Sequence, residues 1–147
     1  NIPDKHSIER KAFVLEERRK CKEGLNINGL YIPGGLYFHQ NYYKLSKDVK
    51  DHTGKIIKET SVPTLRDNEW IVFNDYYKAC QEGKSYTLFG LRQCGKSEME
   101  VSLCLRELSL YDTEALALFS GKPDKDTFVK KIRIAIENGE KFNSRVI

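Results

Sequence analysis

The segment from Gly90 to Ser97 constrains the fold more than any other part of the chain. It reads Gly-Leu-Arg-Gln-Cys-Gly-Lys-Ser and fits the pattern G-x-x-x-x-G-K-[ST] at every defined position. A β-prone run, Ser85–Gly90, precedes it, and the spacing predicts an amphipathic helix over Glu98–Leu110. Strand, loop and helix in this order are typical of a loop that binds the phosphates of ATP or GTP. The alternative is a glycine-rich turn with a solvated Lys96, and the flanking elements argue against it.

Each defined position of this loop has a chemical role. Gly90 and Gly95 let the backbone curl so that its N–H groups point at phosphate oxygens. The following helix adds the positive end of its dipole. Lys96 is the cation for the β- and γ-phosphates, and the Ser97 hydroxyl is a predicted ligand of Mg²⁺.

Two further residues of the loop carry reactive groups. Arg92 could stabilise charge that develops on the γ-phosphate, or it could form a salt bridge with a neighbouring acid, and the sequence weighs these equally. Cys94 occupies an unconstrained position of the pattern and has no histidine near it in sequence. We therefore interpret Cys94 as a small residue that fits the loop rather than as a nucleophile.

Composition narrows the class of protein. The chain has 147 residues, of which 39% are hydrophobic and 31% are charged, as in an ordinary globular domain. The net charge of +4 permits a nucleic-acid partner without requiring one. The four cysteines form no Cys-x-x-Cys pair, which disfavours a zinc site and favours free thiols in a reducing cytosol. We expect no signal peptide and no contact with a membrane, because the apolar runs are too short.

The N-terminal part predicts a helix followed by a small β element. The helix runs from Ser7 to Glu23, with Ser7 as its N-cap and Gly24 as its stop. Ile8, Ala12 and Leu15 lie on one face, and the charged residues 16–23 predict a solvated opposite face.

The aromatic and glycine-rich stretch that follows predicts two hairpins. Leu30–Ile32 and Leu36–Phe38 flank Pro33-Gly34-Gly35, which indicates the first turn. Tyr42–Val49 and Lys55–Thr60 flank a second turn at residues 51–54. The aromatic side chains could stack nucleic-acid bases, but we favour packing against neighbouring elements.

The rest of the chain alternates helices and strands. A helix is predicted over Asp67–Glu82, with Trp70, Phe73, Tyr77 and Cys80 on one face and Gly83 at its end. A buried strand is predicted over Glu114–Ser120. Another helix, Lys125–Asn138, is predicted to be capped by Asp124, to end at Gly139 and to bury Phe128, Ile132, Ala135 and Ile136.

Strands that alternate with helices predict βαβ units and a parallel sheet. The predicted fold class is therefore α/β: a P-loop NTPase, incomplete here, preceded by an N-terminal helix and a small β element. The predicted organisation is a helical segment over residues 1–28, a β-rich element over 29–62 and the first part of the ATPase domain over 63–147.

The chain resembles the N-terminal ATPase region of the large terminase subunit, the DNA-packaging motor of tailed bacteriophages. The resemblance rests on Leu65-Arg66-Asp67, on Arg92–Ser97 and on the Ala115–Gly121 strand with the basic helix after it, at Lys130, Lys131 and Arg133. Together these stretches cover roughly residues 60–140. The segment Gly29–Tyr43 is similar to the lead-in of some terminases of larger phages.

The resemblance implies a role for each matching residue. Lys96 and Arg92 would be catalytic, Ser97 would hold Mg²⁺, and the segment Arg66–Trp70 would contact the adenine. Glu69 stands where the family often has glutamine, so it could accept from the adenine amino group but not donate to a ring nitrogen. The implied ATP-binding residues are Gly90, Leu91, Arg92, Gln93, Cys94, Gly95, Lys96, Ser97, Glu98, Arg66, Glu69 and Trp70.

The family also needs an apolar strand that ends in Asp-Glu, and no such strand follows Ser97 in the sequence. We expect this acidic motif and the nuclease domain to lie outside the chain, so that the chain alone binds nucleotide weakly and does not hydrolyse it. For the full-length protein the resemblance implies ATP and Mg²⁺ as cofactors. It implies double-stranded DNA, the portal and the small terminase subunit as partners, a homo-oligomeric ring, and action in the host cytoplasm. The alternatives are another P-loop ATPase such as a helicase-like enzyme, a nucleotide kinase, or a non-catalytic nucleotide-binding module.

Overall fold

Five helices and two small antiparallel sheets make up the part of the chain that the structure describes. The structure, a computed structural model, describes residues 3–4, 7–90, 94–111 and 121–146, with side chains up to 137. The elements in chain order are α1 (Ile8–Glu23), β1 (Leu25–Ile27), β2 (Leu30–Ile32), α2 (Gly34–Asn41), β3 (Leu45–Lys50), β4 (Ile56–Ser61), α3 (Asp67–Gln81), α4 (Lys96–Leu110) and α5 (Lys122–Val146). The fold is therefore mixed α/β.

The first hairpin differs from the sequence prediction. β1 pairs with β2, and the turn between them is Asn28-Gly29, where both residues have positive φ, 51° and 84°. Two consecutive residues with positive φ are the signature of the tight turn that matches strand twist, and Asn-Gly is its usual sequence. β2 is therefore already paired, and Leu36–Phe38, predicted as the second strand, lies in helix α2. The predicted boundary between the helical segment, residues 1–28, and the β-rich element, residues 29–62, therefore falls inside this turn.

The double glycine after Pro33 allows close packing rather than a chain reversal. Pro33 is the N-cap of α2. A Cβ atom on Gly34 would lie 2.5 Å from the carbonyl oxygen of Cys21, a distance that real Cβ atoms do not reach. Gly34 therefore lets the start of α2 lie directly against the end of α1.

The second hairpin is confirmed. β3 pairs antiparallel with β4 over six residue pairs, from Leu45 with Ser61 to Lys50 with Ile56. The Asp51 carboxylate closes the turn, because it accepts hydrogen bonds from the backbone N–H groups of Thr53 at 2.8 Å and Lys55 at 3.0 Å.

The ends of α1 are confirmed, but its buried face is not the predicted one. The Ser7 hydroxyl accepts from the backbone N–H of Arg10, and Gly24 is the C-cap. Ile8 and Leu15 are 87% and 68% exposed, whereas Glu17 is buried. Glu17 accepts hydrogen bonds from the hydroxyls of Tyr37 and Tyr42 and from the Lys20 ammonium. Burial favours the neutral acid, but these three donors outweigh it and hold the pKa of Glu17 below its usual value.

Helix α2 is the centre of the packing. On one side Phe38 joins Cys21, Tyr43, Val101, Leu105, Leu110 and Ala135 in a cluster between α1, α4 and α5. On the other side Leu36 packs with Val72, Phe73 and Met99 of α3 and α4. Tyr37 and Tyr42 lie against the first cluster. The aromatic stretch therefore packs against its neighbours, as favoured from the sequence.

Helix α3 and the start of α4 agree with the sequence predictions to within two residues, whereas the strand predictions around them do not. Ser85–Gly90 pairs with no strand among the described residues, although Tyr86 and Leu88 pack partly against α3 and α4. Both sheets in the described part of the chain are antiparallel, so the predicted parallel sheet is not present there. The strand predicted over Glu114–Ser120 lies outside the described residues.

Helix α5 is longer than predicted at both ends. It begins at Lys122, so Asp124 lies in its first turn instead of capping it, and it continues through Gly139 to Val146. Ala135 is buried, Phe128 and Ile132 pack partly against the core, and Ile136 is more than half exposed. No helix within the described ranges has both the length and the apolar character needed to cross a membrane.

Candidate phosphate-binding site

The glycine loop ends at the first turn of α4, where the geometry suits an anion. Gly95 is the N-cap with φ of 84°, a conformation that favours glycine, and its carbonyl oxygen accepts from the backbone N–H groups of Glu98 at 3.0 Å and Met99 at 3.1 Å. Lys96 and Ser97 follow in the first turn, and the Ser97 side chain is exposed. The free N–H groups and the positive dipole end of a helix attract phosphate oxygens.

The Lys96 side chain reaches back across the loop. Its ammonium donates a hydrogen bond to the Gly90 carbonyl oxygen and lies 3.7 Å from the Cys94 sulfur. The Asn68 amide donates to the Cys94 carbonyl oxygen at 2.7 Å, which fastens the end of the loop to α3. The two ends of the loop, Gly90 and Lys96, are therefore in contact. Leu91, Arg92 and Gln93 lie outside the described residues, so their predicted roles stay predictions.

Glu69 lies in the segment that is predicted to contact the base. Its carboxylate accepts hydrogen bonds from a group at the start of α3 and from a side chain of α2. It is only 5% exposed, and one of its carboxylate oxygens accepts from the backbone N–H of Arg66 at 3.3 Å and from the Gln40 amide at 3.5 Å. Burial raises the pKa of Glu69, against the opposite effect of the Arg66 backbone hydrogen bond and of the Arg66 and Lys47 charges.

Glu98, also predicted to bind nucleotide, is already engaged by protein groups. The Tyr43 hydroxyl donates to one of its carboxylate oxygens, and the Lys131 ammonium of α5 lies 2.6 Å from the other. Glu98 therefore joins the first turn of α4 to α5 and to the end of α2. In this arrangement it positions the helix instead of offering a carboxylate to a ligand.

A cavity of about 390 Å³ opens beside the loop, between β3, α3, α4 and α5. It brings together four of the predicted site residues, Arg66, Glu69, Gly95 and Glu98. Trp70 does not line it and is instead partly buried against the cluster that contains Leu36 and Phe73. The other lining residues are Tyr43, Lys44, Leu45, Ser46, Lys47, Pro63, Thr64, Thr127, Lys130, Lys131 and Ile134.

Sequence reasoning missed most of this lining. Lys44 and Lys47 belong to a hairpin some 50 residues before the loop, and no motif connects them to it. Lys130 and Lys131 were noticed only through the family resemblance. The volume of the cavity lies within the range of small-molecule sites, about 300–1,000 Å³.

A buried histidine lies behind the cavity wall. His39 is fully buried, stacks on Tyr43 with ring centroids 5.3 Å apart, and neither ring nitrogen has a hydrogen-bond partner among the described residues. Its Nε2 atom lies 3.9 Å from a carboxylate oxygen of Glu69. Burial lowers the pKa of His39 to about 4, and the negative charge of Glu98 only partly opposes this effect. His39 is therefore neutral at pH 7.

The described part of the chain contains no group of three or more histidine, cysteine, aspartate or glutamate side chains that could hold a metal ion. The predicted contact with Mg²⁺ depends on the exposed Ser97 hydroxyl, and a hydroxyl in the first turn after a phosphate loop suits an ion shared with the phosphates. Comparison of the chain with protein-family models, with curated proteins and with solved structures finds no match.

Proposed function

We propose that the chain binds a nucleoside triphosphate through residues 90–97, as the first part of a P-loop NTPase. One observation supports this most: the loop motif leads directly into helix α4, with Gly95 in a left-handed conformation at its N-cap and the Lys96 ammonium on the Gly90 carbonyl. Phosphate oxygens would replace the Gly90 carbonyl oxygen as acceptors for this ammonium. The cavity beside Gly95 offers room for the nucleoside.

The Mg²⁺ ion that accompanies a nucleoside triphosphate would be held by the Ser97 hydroxyl and would neutralise charge on the phosphates. Lys96 would bind the β- and γ-phosphates, and Arg92 would contact the γ-phosphate. Arg66 and Glu69 would face the nucleoside, since both line the cavity.

Within this proposal, the most specific hypothesis is that the chain belongs to the ATPase of a viral DNA-packaging motor, the large terminase subunit of a tailed bacteriophage. The Arg-Gln form of the loop and the Leu-Arg-Asp stretch before it support this reading. ATP hydrolysis, double-stranded DNA, the portal, the small subunit, a ring of copies and the host cytoplasm belong to the full-length protein under this proposal.

A binding experiment on the Lys96→Ala variant tests the nucleotide site. We expect ATP with Mg²⁺ to bind the wild-type chain and to bind the variant at least about tenfold more weakly, because charge-assisted hydrogen bonds contribute roughly 1.5–3 kcal/mol. Isothermal titration measures both affinities, and Lys125→Ala, a change of an exposed lysine on α5 away from the cavity, is the matched control. Equal affinities for the wild type and Lys96→Ala would contradict the proposal.

Hydrolysis is a separate matter from binding. We expect no steady-state release of phosphate from ATP by the purified chain, because the acidic motif that activates water is not in its sequence. Robust turnover that Lys96→Ala abolishes would show that another residue of this chain supplies the missing base.

A further inference from the structure

The cavity beside the loop carries an excess of positive charge. Five cationic side chains line it, those of Lys44, Lys47, Arg66, Lys130 and Lys131, against the two acids Glu69 and Glu98. Lys131 pairs with Glu98. The other four cations form no ion pair with any residue that the structure describes.

These cations reach the cavity from separate elements. Lys44 and Lys47 belong to β3 and the residue before it, Arg66 precedes α3, and Lys130 is on α5. Like charges that converge on one concave surface repel each other, and the low-dielectric walls of a cleft focus their field. An anionic ligand would relieve this repulsion.

The apolar lining residues of the cavity suit the ring of a nucleotide base. Tyr43, Leu45, Pro63 and Ile134 give the cavity an apolar side, and its volume exceeds what a single phosphate group needs. Gly95 belongs both to the cavity and to the phosphate loop, so one ligand can extend from the loop into the cavity. The base and ribose of an ordinary nucleotide are neutral and would leave the excess of cations over acids in the cavity unbalanced.

We propose that the cavity is a second phosphate subsite, which takes a nucleotide that carries a phosphate on its ribose, at the 2′ or 3′ position, in addition to its 5′ chain. Lys44, Lys47 and Lys130 hold the ribose phosphate, and the base lies against the apolar wall. The Arg66 guanidinium can contact two phosphate oxygens at once. This inference rests on the proposed function, because the 5′ phosphates must lie in the loop.

The test compares ADP with 2′-phospho-ADP and 3′-phospho-ADP in isothermal titrations of the full chain. We expect at least one of the two ribose-phosphorylated nucleotides to bind about tenfold more tightly than ADP, as charge-assisted hydrogen bonds to one further phosphate predict. We expect the double variant Lys44→Gln, Lys130→Gln to lose this gain, so that it binds the ribose-phosphorylated nucleotides no more tightly than it binds ADP.

The matched control is the double variant Lys50→Gln, Lys125→Gln, which removes the same amount of charge from β3 and α5 at positions outside the cavity. It should retain the full gain, and its thermal unfolding, with that of the cavity variant, verifies that both fold. A gain that survives in the cavity variant, or that the control loses equally, overturns the inference.

The same titrations distinguish failure of the second subsite from failure of the proposed nucleotide site in the loop. If ADP binds in a Lys96-dependent manner and the three nucleotides bind equally, the second subsite is refuted and the loop stands. If ADP does not bind the wild type, the proposed function is refuted. A free phosphate ion that competes with the ribose-phosphorylated nucleotide, but not with ADP, would support the subsite and show that the phosphate group alone is recognised.

Discussion

The two ends of helix α4 have opposite environments. Val101, Leu105 and Leu110, in its later turns, are buried between α1, α2 and α5. The first turn carries Lys96 and Ser97 between Gly95 and Glu98, which line an open, basic cavity. Packing thus fixes the later turns, whereas Lys96 and Ser97 in the first turn are polar groups that a ligand can contact. Substitutions at the buried end should therefore change the free energy of unfolding, and substitutions at the open end should change binding.

The strongest test of this contrast is at the buried end. Leu105→Ala should lower the free energy of unfolding by about 4 kcal/mol, through lost apolar burial and the cavity it leaves. Leu108→Ala on the same helix is the control, because Leu108 is 46% exposed and its truncation should cost less than about 1 kcal/mol. Urea unfolding measures both values. A similar cost at the two positions would show that the later turns are not packed as described.

The second test concerns His39, which lies between the core and the cavity wall. Its pKa of about 4 is below the ordinary value of 6.5, so the unfolded chain binds the proton first as pH falls. The free energy of unfolding should therefore be highest above pH 6.5 and fall between pH 6.5 and 4, by up to about 3 kcal/mol from this group alone.

The variant His39→Gln isolates this contribution. It should be less stable than the wild type at neutral pH, and its stability should depend less on pH between about 5 and 7, since the titrating group is gone. Urea unfolding at several pH values measures the slope. Equal slopes for the two proteins would mean that His39 is accessible to protons in the folded chain.

The smallest expected effect is at the open end. Lys131→Ala should lower the free energy of unfolding by less than about 1 kcal/mol, because the Lys131–Glu98 pair is partly solvated and Tyr43 still donates to Glu98. Lys125→Ala gives the background for a lysine on the same helix that forms no ion pair with the residues that the structure describes. A loss of several kcal/mol in Lys131→Ala would show that the first turn of α4 is as tightly held as the later turns.

Local signals in the sequence predicted three helices and one hairpin. Ser7 and Gly24 set the ends of α1, the turn after Lys50 fixed the register of β3 and β4, and the glycine loop marked the start of α4. These features depend on residues within a few positions of one another. The candidate phosphate-loop residues were predicted from the same kind of local signal, and their role stays a prediction.

The remaining features depend on residues far apart in the chain. Periodicity predicted a solvated Glu17, whose burial is stabilised by Tyr37 and Tyr42, 20 and 25 residues later. Pro33-Gly34-Gly35 predicted a turn, whereas Gly34 is needed for contact with Cys21. The basic cavity needs β3 and α5 on the same side of α4, and no local pattern encodes that placement.

The Arg106 side chain links α4 to the end of α1. Its guanidinium is buried and donates to the Cys21 carbonyl oxygen at 2.7 Å and to the Lys22 carbonyl oxygen at 2.8 Å, so it ties the later part of α4 to the end of α1. Arg106 lies ten residues after Lys96, a distance of roughly 15 Å along the helix axis. A ligand that contacts Lys96 would therefore meet a helix whose later part is already tied to the backbone of α1, two elements that lie more than 70 residues apart in the chain.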